Sequence, residues 1–171
     1  MSYKNKTYVA FASEDIHMYR LMEAWRDNDK IDFDFYDAHD LFISRDSSQR
    51  DTIKRNLRDR LKNAKQVILI GTSIAKSKGS DDYSFLAHEI SVIIEFNLPV
   101  IIANKNGNRG VDYNNIPKPL TDNNYYTIST TFQPAIIKFA LDKYTEVFKT
   151  DKSREGAHYY KDDIYSMLGV K

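Results

Sequence analysis

Val67-Ile68-Leu69-Ile70-Gly71 is an unbroken, largely β-branched apolar run closed by a glycine. A strand with one wet face alternates apolar and polar residues. A run that does not alternate describes a strand covered on both faces, as at the centre of a parallel sheet with helices on either side. On its N-terminal side, Ile53, Leu57 and Leu61 recur four residues apart, with Lys54, Arg55, Arg58, Arg60 and Lys62 on the remaining faces. That spacing predicts an amphipathic helix. On its C-terminal side, a polar connection from Thr72 to Asp82 leads to a helix beginning at Ser84, which carries Leu86, Ile90, Ile93 and Ile94 on one stripe and ends near Phe96, before Pro99.

The alternation of strand and helix continues outward. Thr7-Tyr8-Val9-Ala10-Phe11-Ala12 is a β-rich run stopped by Ser13-Glu14-Asp15, a polar triplet suited to open a helix that carries Met18, Leu21, Met22 and Trp25. Ile31 to Phe35 alternates apolar with acidic residues, which predicts a second strand at a sheet edge, followed by a polar loop from Asp37 to Ser48. Pro99 to Ala103 predicts a fourth strand. Asn104 to Asn124, punctuated by Gly107, Gly110, Pro117 and Pro119, predicts a long irregular connection. Tyr125 to Ile128 predicts a fifth strand, and Pro134 fits the first turn of a helix running to Val147. The expected organisation is one α/β domain over residues 1–150 and a polar extension over 151–171. Within that extension an amphipathic stretch, Tyr159 to Leu168, would dock or mediate self-association. Five strands alternating with helices predict a flavodoxin-like, doubly wound parallel five-stranded sheet of order 2-1-3-4-5. There the chain reverses between strands one and three, so a ligand is expected outside their carboxyl ends, beside Phe11 to Asp15 and Gly71 to Ser73.

A length of 171 residues suits one domain, and 42% hydrophobic with 29% charged residues is a globular balance. No run nears the roughly 18 consecutive apolar residues that span a bilayer. The first six residues are polar with no apolar signal region behind them, so a cytoplasmic protein without membrane partners is expected. The absence of cysteine excludes disulfides, thiolate nucleophiles and cysteine-bound metals, and a net charge of +1 gives no overall pull toward nucleic acid. The 12 tyrosines and 9 phenylalanines suit a core, an interface or a base-stacking pocket alike.

No phosphate loop, dinucleotide fingerprint, zinc-protease or esterase signature is present, and His17, His39, His88 and His158 lack ligand spacing, so no metal is expected. Asp37, Asp40 and Asp46 follow the second strand, where a phosphoreceiver carries acids. Yet strand three ends in Gly71-Thr72 rather than an aspartate, and strand five in Ser129 rather than a lysine. Solvated loop acids are the favoured reading of the three. Glu89 lies in the second turn of the helix after the central strand, and Phe85 is four residues earlier on the same face. The pair could stack a planar ring while setting a negative charge beside a sugar; it could also be a surface acid beside a packed aromatic.

Tyr8-Val-Ala-Phe-Ala-Ser-Glu14 resembles the first box of TIR domains, a strand ending in Phe-x-Ser. Ile53-Lys-Arg-Asn-Leu57 through Ile70-Gly-Thr-Ser73 resembles their central helix and strand, and Ser84-Phe-Leu-Ala-His-Glu89 their third motif, in which an aromatic precedes the catalytic Glu by four. Phe33-Asp-Phe-Tyr-Asp37 followed by Ile53-Lys-Arg-Asn56 is similar to the TIR-like subfamily of bacterial antiphage systems of the Thoeris type. The resemblance spans residues 5–130 and departs from the family in carrying Phe85 where Trp is usual. It implies cleavage of the nicotinamide–ribose bond of NAD, with NAD as substrate rather than bound cofactor. A cyclic ADP-ribose-type or ADP-ribose-conjugate signal would form, with a phage-derived trigger and a downstream effector that meets the protein only through that product. By the same resemblance Glu89 is catalytic and Phe11, Ala12, Ser13 and Phe85 bound the nicotinamide and ribose, with Asp37 and Asp46 as further contacts. TIR domains also serve as non-catalytic assembly modules, and in that role Glu89 would be a plain helix acid.

Overall fold

The continuous run forms strand β3 (Gln66–Gly71), and every one of its residues is buried. The computed structural model describes residues 2–37 and 49–171. A 3-10 turn at Ser2–Lys4 precedes β1 (Lys6–Ala10), and a second at Ser13–Asp15 leads into α1 (Ile16–Asp27). Then come β2 (Tyr36–Asp37), α2 (Arg50–Asn63), β3, α3 (Ser73–Ser80), α4 (Phe85–Glu95), β4 (Val100–Asn104) and α5 (Lys118–Asp122). β5 (Thr127–Thr131), α6 (Pro134–Thr150), β6 (Ala157–Tyr159) and α7 (Asp162–Met167) complete the described chain. The strands pair in parallel in the order β2-β1-β3-β4-β5-β6. The sheet reverses between β1 and β3, as a flavodoxin-like sheet does, and β6 adds a strand beyond the expected five.

Alternation along each strand feeds two separate cores. Tyr8, Ala10, Val67, Leu69, Val100 and Ile102 point to the side covered by α2, α4 and α5. Val9, Ile68, Ile70, Ile101, Ala103 and Ile128 point to the side covered by α1 and α6. Burial of both faces is why these strands carry no polar alternation. α2 buries Ile53, Leu57 and Leu61, the residues its spacing picked out. α4 buries Leu86, Ile90 and Ile93 and ends with Asn97 in the left-handed region at φ 52°. There the Leu98 amide donates to the Ile93 carbonyl and the Asn97 amide to that of Ile94, the cap that turns the chain into β4.

Five expectations are corrected. Residues 72–82 are not a loop: Thr72 caps α3, its hydroxyl accepting from the Ala75 amide at 3.0 Å. The second strand is not Ile31–Phe35. Its alternation does bury Phe33 and Phe35 and expose Asp32 and Asp34, but the Ile31 amide closes a turn onto Asn28, and among the described residues of this segment only Tyr36 and Asp37 pair with β1. In α1 the buried residues are Tyr19 and Met22, whereas Leu21 is 42% exposed. The connection after β4 contains α5, and the fifth strand begins at Thr127 rather than Tyr125.

The amphipathic tail docks on its own chain. β6 pairs with β5, and the buried Tyr165 of α7 accepts a hydrogen bond from the Thr131 amide at 3.1 Å while the Arg109 guanidinium lies 4.4 Å from its ring. No helix among the described residues is long and apolar enough to cross a membrane.

Gly79 makes α3 possible at its place. A Cβ there would lie 2.7 Å from Pro117 Cγ and 2.8 Å from Pro117 Cβ. Alanine favours a helix interior by up to about 1 kcal/mol over glycine, but overpacking against a proline ring costs about 1–3 kcal/mol. Gly79→Ala is therefore expected to lower the thermal unfolding midpoint, and an unchanged or raised midpoint would show that the α3–Pro117 contact yields freely.

Candidate functional site

The crevice lies outside the carboxyl ends of β1, β3 and β4, and one buried acid ties the three together. The Asp15 amide donates to the Ala12 carbonyl at 2.8 Å, and Asp15 itself is only 1% exposed. Thr72 Oγ1 donates to Asp15 Oδ2 at 2.6 Å while accepting from the Ala75 amide, and Lys105 Nζ sits 3.7 Å from Asp15 Oδ1. A buried carboxylate is tolerable when a hydroxyl and an ammonium face it. Here it fixes the start of α1 against the starts of α3 and the loop after β4. On the rim, Lys78 Nζ meets Glu14 Oε1 at 2.5 Å, which holds the Glu14 carboxyl below the usual range.

Glu89 is the unusual group. It lies on the sheet-facing side of α4 with Leu86, Ile90 and Ile93, and is 5% exposed. Its Oε2 has no hydrogen-bond partner among the described residues. Burial pushes its carboxyl up to about 7; a hydrogen bond from the Tyr8 side chain opposes that shift by favouring the charged form. A surface acid would face water with an ordinary pKa, so the plain-acid reading of this glutamate does not describe its surroundings.

The helices that frame Glu89 run side by side in parallel. Arg50 of α2 meets Phe85 of α4, the Lys54 carbonyl lies 3.1 Å from His88 Nε2, and Arg58 forms a two-pronged pair with Glu95 at 2.7 Å per contact. Their first turns therefore open together at the crevice. The Arg50 guanidinium lies 4.6 Å from the Phe85 ring centre and 4.3 Å from that of Tyr83. His88, on the flank, is held below its usual pKa chiefly by burial.

The residues singled out from the sequence divide as follows. Ala12, Phe85 and Glu89 lie on the α2–α4 side, Ala12 buried and Phe85 half-buried. Phe11 goes to the other side, stacked on Tyr19 with ring centres 5.1 Å apart. Ser13 is exposed, its hydroxyl donating to Glu14 Oε2 at 3.4 Å. Asp37 belongs to the short β2 ladder, while Asp40 and Asp46 lie outside the described residues. The sequence reading missed Asp15, Thr72 and Lys105 as a unit, and it missed Arg50. A threonine followed by Ser-Ile-Ala was an available cap signal for α3. Nothing in local spacing brings Arg50 to Phe85, 35 positions away.

A family model described as "Thoeris protein ThsB, TIR-like domain" matches residues 8–109, more than half of the chain. Among curated proteins none matches.

Proposed function

The chain belongs to the TIR-like domain family of the Thoeris protein ThsB, which supports a role in antiphage defence, and from that premise we propose that it cleaves the nicotinamide–ribose bond of NAD with Glu89 as its catalytic carboxylate. The observation that carries this reading is the Glu89 carboxylate itself: buried on the sheet-facing side of α4, with one oxygen unpartnered among the described residues and an aromatic ring one turn above it.

Nicotinamide in NAD is a cationic leaving group. When its bond to ribose C1′ breaks, the electron pair goes to the ring nitrogen and nicotinamide departs neutral, so no general acid is needed. The barrier is the positive charge that develops across C1′ and the ring oxygen of ribose. A carboxylate fixed beside that charge, in a site with little water, stabilises it far better than solvent does. Phe85 offers a flat face for the departing ring, with Ala12 and Ser13 bounding the strand end. Attack on C1′ by water gives ADP-ribose; attack by a nucleophile of the same or another molecule gives a cyclic or conjugated ADP-ribose signal.

Because the ionised form is the working one and burial lifts the carboxyl to about 7, kcat/KM for NAD is expected to fall about tenfold per pH unit below that value and to level off above it. The direct test is mass spectrometry of NAD incubated with purified protein, alone and with lysate of phage-infected cells. NAD consumption with release of nicotinamide is the expected result. No consumption under any of these conditions would remove the enzymatic reading.

A further inference from the structure

We propose that Arg50 is the anion-binding residue of this crevice, gripping the diphosphate of the substrate while Glu89 addresses its ribose. This deepens the NAD-cleavage reading and rests on it. The guanidinium lies against the two aromatic rings of Tyr83 and Phe85, at 4.3 and 4.6 Å, an arrangement that holds its plane and spares it the usual loss of side-chain freedom on binding. Its Nη2 is shielded from solvent yet has no hydrogen-bond partner among the described residues. A charged donor buried without an acceptor is costly, and an arriving phosphate oxygen is the acceptor that relieves the cost. Arg58, on the same helix, has a carboxylate gripping it from two sides. The described residues supply no such acid to Arg50.

Position agrees with chemistry. Arg50 is the first residue of α2, and the preceding Gln49 makes no side-chain cap, so the peptide N–H groups of that first turn add to the positive end presented to the crevice. The same Phe85 ring that the guanidinium touches stands one turn above Glu89 on α4. An anionic group held by Arg50 is thus the near neighbour of a sugar held by Glu89. In NAD the diphosphate is linked to the nicotinamide ribose through one methylene, which matches that adjacency.

The test uses the intact chain. Titration calorimetry measures ADP binding to the Glu89→Gln protein, with and without Arg50→Gln; turnover of NAD is compared with that of nicotinamide riboside, which has no phosphate. The expected result is at least a tenfold weaker ADP affinity on removing Arg50. NAD turnover should show a comparable rise in KM with kcat largely kept, and nicotinamide riboside turnover should stay unchanged. Arg50→Lys should recover part of the affinity, since it keeps the charge but not the planar fork. Equal loss on both substrates would assign Arg50 to holding Phe85 in place and overturn the proposal. So would unchanged ADP affinity, or no measurable ADP binding with Arg50 present. If ADP affinity depends on Arg50 and no condition gives turnover, the anion site stands and the NAD-cleavage reading falls.

Discussion

Glu89→Gln is expected to lose NAD turnover by roughly a thousandfold or more and, in the same protein, to gain stability at alkaline pH. The first effect follows from removing the charge proposed to meet the developing cation; the amide keeps the shape but not the field. The second follows from the raised pKa. A free glutamate titrates near 4.5, whereas Glu89 in the folded chain titrates near 7. Between those values the folded chain holds a proton that the unfolded chain releases. The stabilising effect of the protonated form is therefore complete below 4.5, is lost as pH rises through about 7, and stays lost above it. The shift corresponds to a penalty of about 3 kcal/mol above pH 7. Glutamine carries no such penalty, although its amide must find partners, so a net gain of about 1–3 kcal/mol at pH 8 is expected. Urea unfolding at pH 5 and pH 8 reads this directly: the two proteins should converge at the lower pH and separate at the higher. A variant that turns over NAD like its parent would end the assignment of Glu89 as catalyst. A variant whose stability falls with pH as steeply as the parent's would show that some other group titrates.

Loss of function paired with gain of stability distinguishes a site from a scaffold. Asp15 provides the contrast. It is as buried as Glu89, but Thr72 and Lys105 face its carboxylate. Its neighbours satisfy its charge within the fold, whereas those of Glu89 leave one oxygen without a hydrogen-bond partner among the described residues. Two buried acids thus have opposite surroundings, and the unmet oxygen of the second is the feature on which the proposed catalytic role rests.

The sequence made the sheet legible because burial on both faces removes polar alternation, and β3 and β4 are continuous apolar runs for that reason. α2 was legible because three large residues fall four apart on one face. α3 was not, because the residues it buries are only Ala75 and Gly79, a methyl and no side chain at all, and no hydrophobic period can register. The short ladder of β2 lies just beyond the expected stretch Ile31–Phe35: alternation reports which side chains are buried, and Phe33 and Phe35 are, but pairing is decided by where the backbone meets β1. Phe11 was legible in principle, since period two along β1 puts it with Val9 and opposite Ala10 and Ala12. The partnership of Arg50 with Phe85 is a product of helix packing, and short-range spacing carries no trace of it.

Tyr144→Phe is expected to cost about 2–4 kcal/mol of stability. Tyr144 is fully enclosed on α6, and its hydroxyl serves two strands at once: it accepts from the Val100 amide at 2.9 Å and donates to the Tyr126 carbonyl at 2.7 Å. Those two backbone groups stand at the entries of β4 and β5, at and just before the first register pair, Val100 with Thr127. Removing the oxygen leaves a buried donor and a buried acceptor unpaired, at about 1–3 kcal/mol each, partly relieved by relaxation. The ring itself continues to pack edge-on to Tyr126 at 5.0 Å, so the loss isolates the polar contribution. For a chain of this size each kcal/mol moves the unfolding midpoint by roughly 2–4 °C, which puts the shift well within calorimetric reach. Because the hydroxyl works on the opposite face of the sheet from Glu89, in the core under α6 rather than the one under α4, NAD turnover per folded molecule at low temperature should be unaltered. A midpoint within a degree of the parent's would mean that the strand entries find other partners, and that the tyrosine bridge between them adds nothing to the packing of α6.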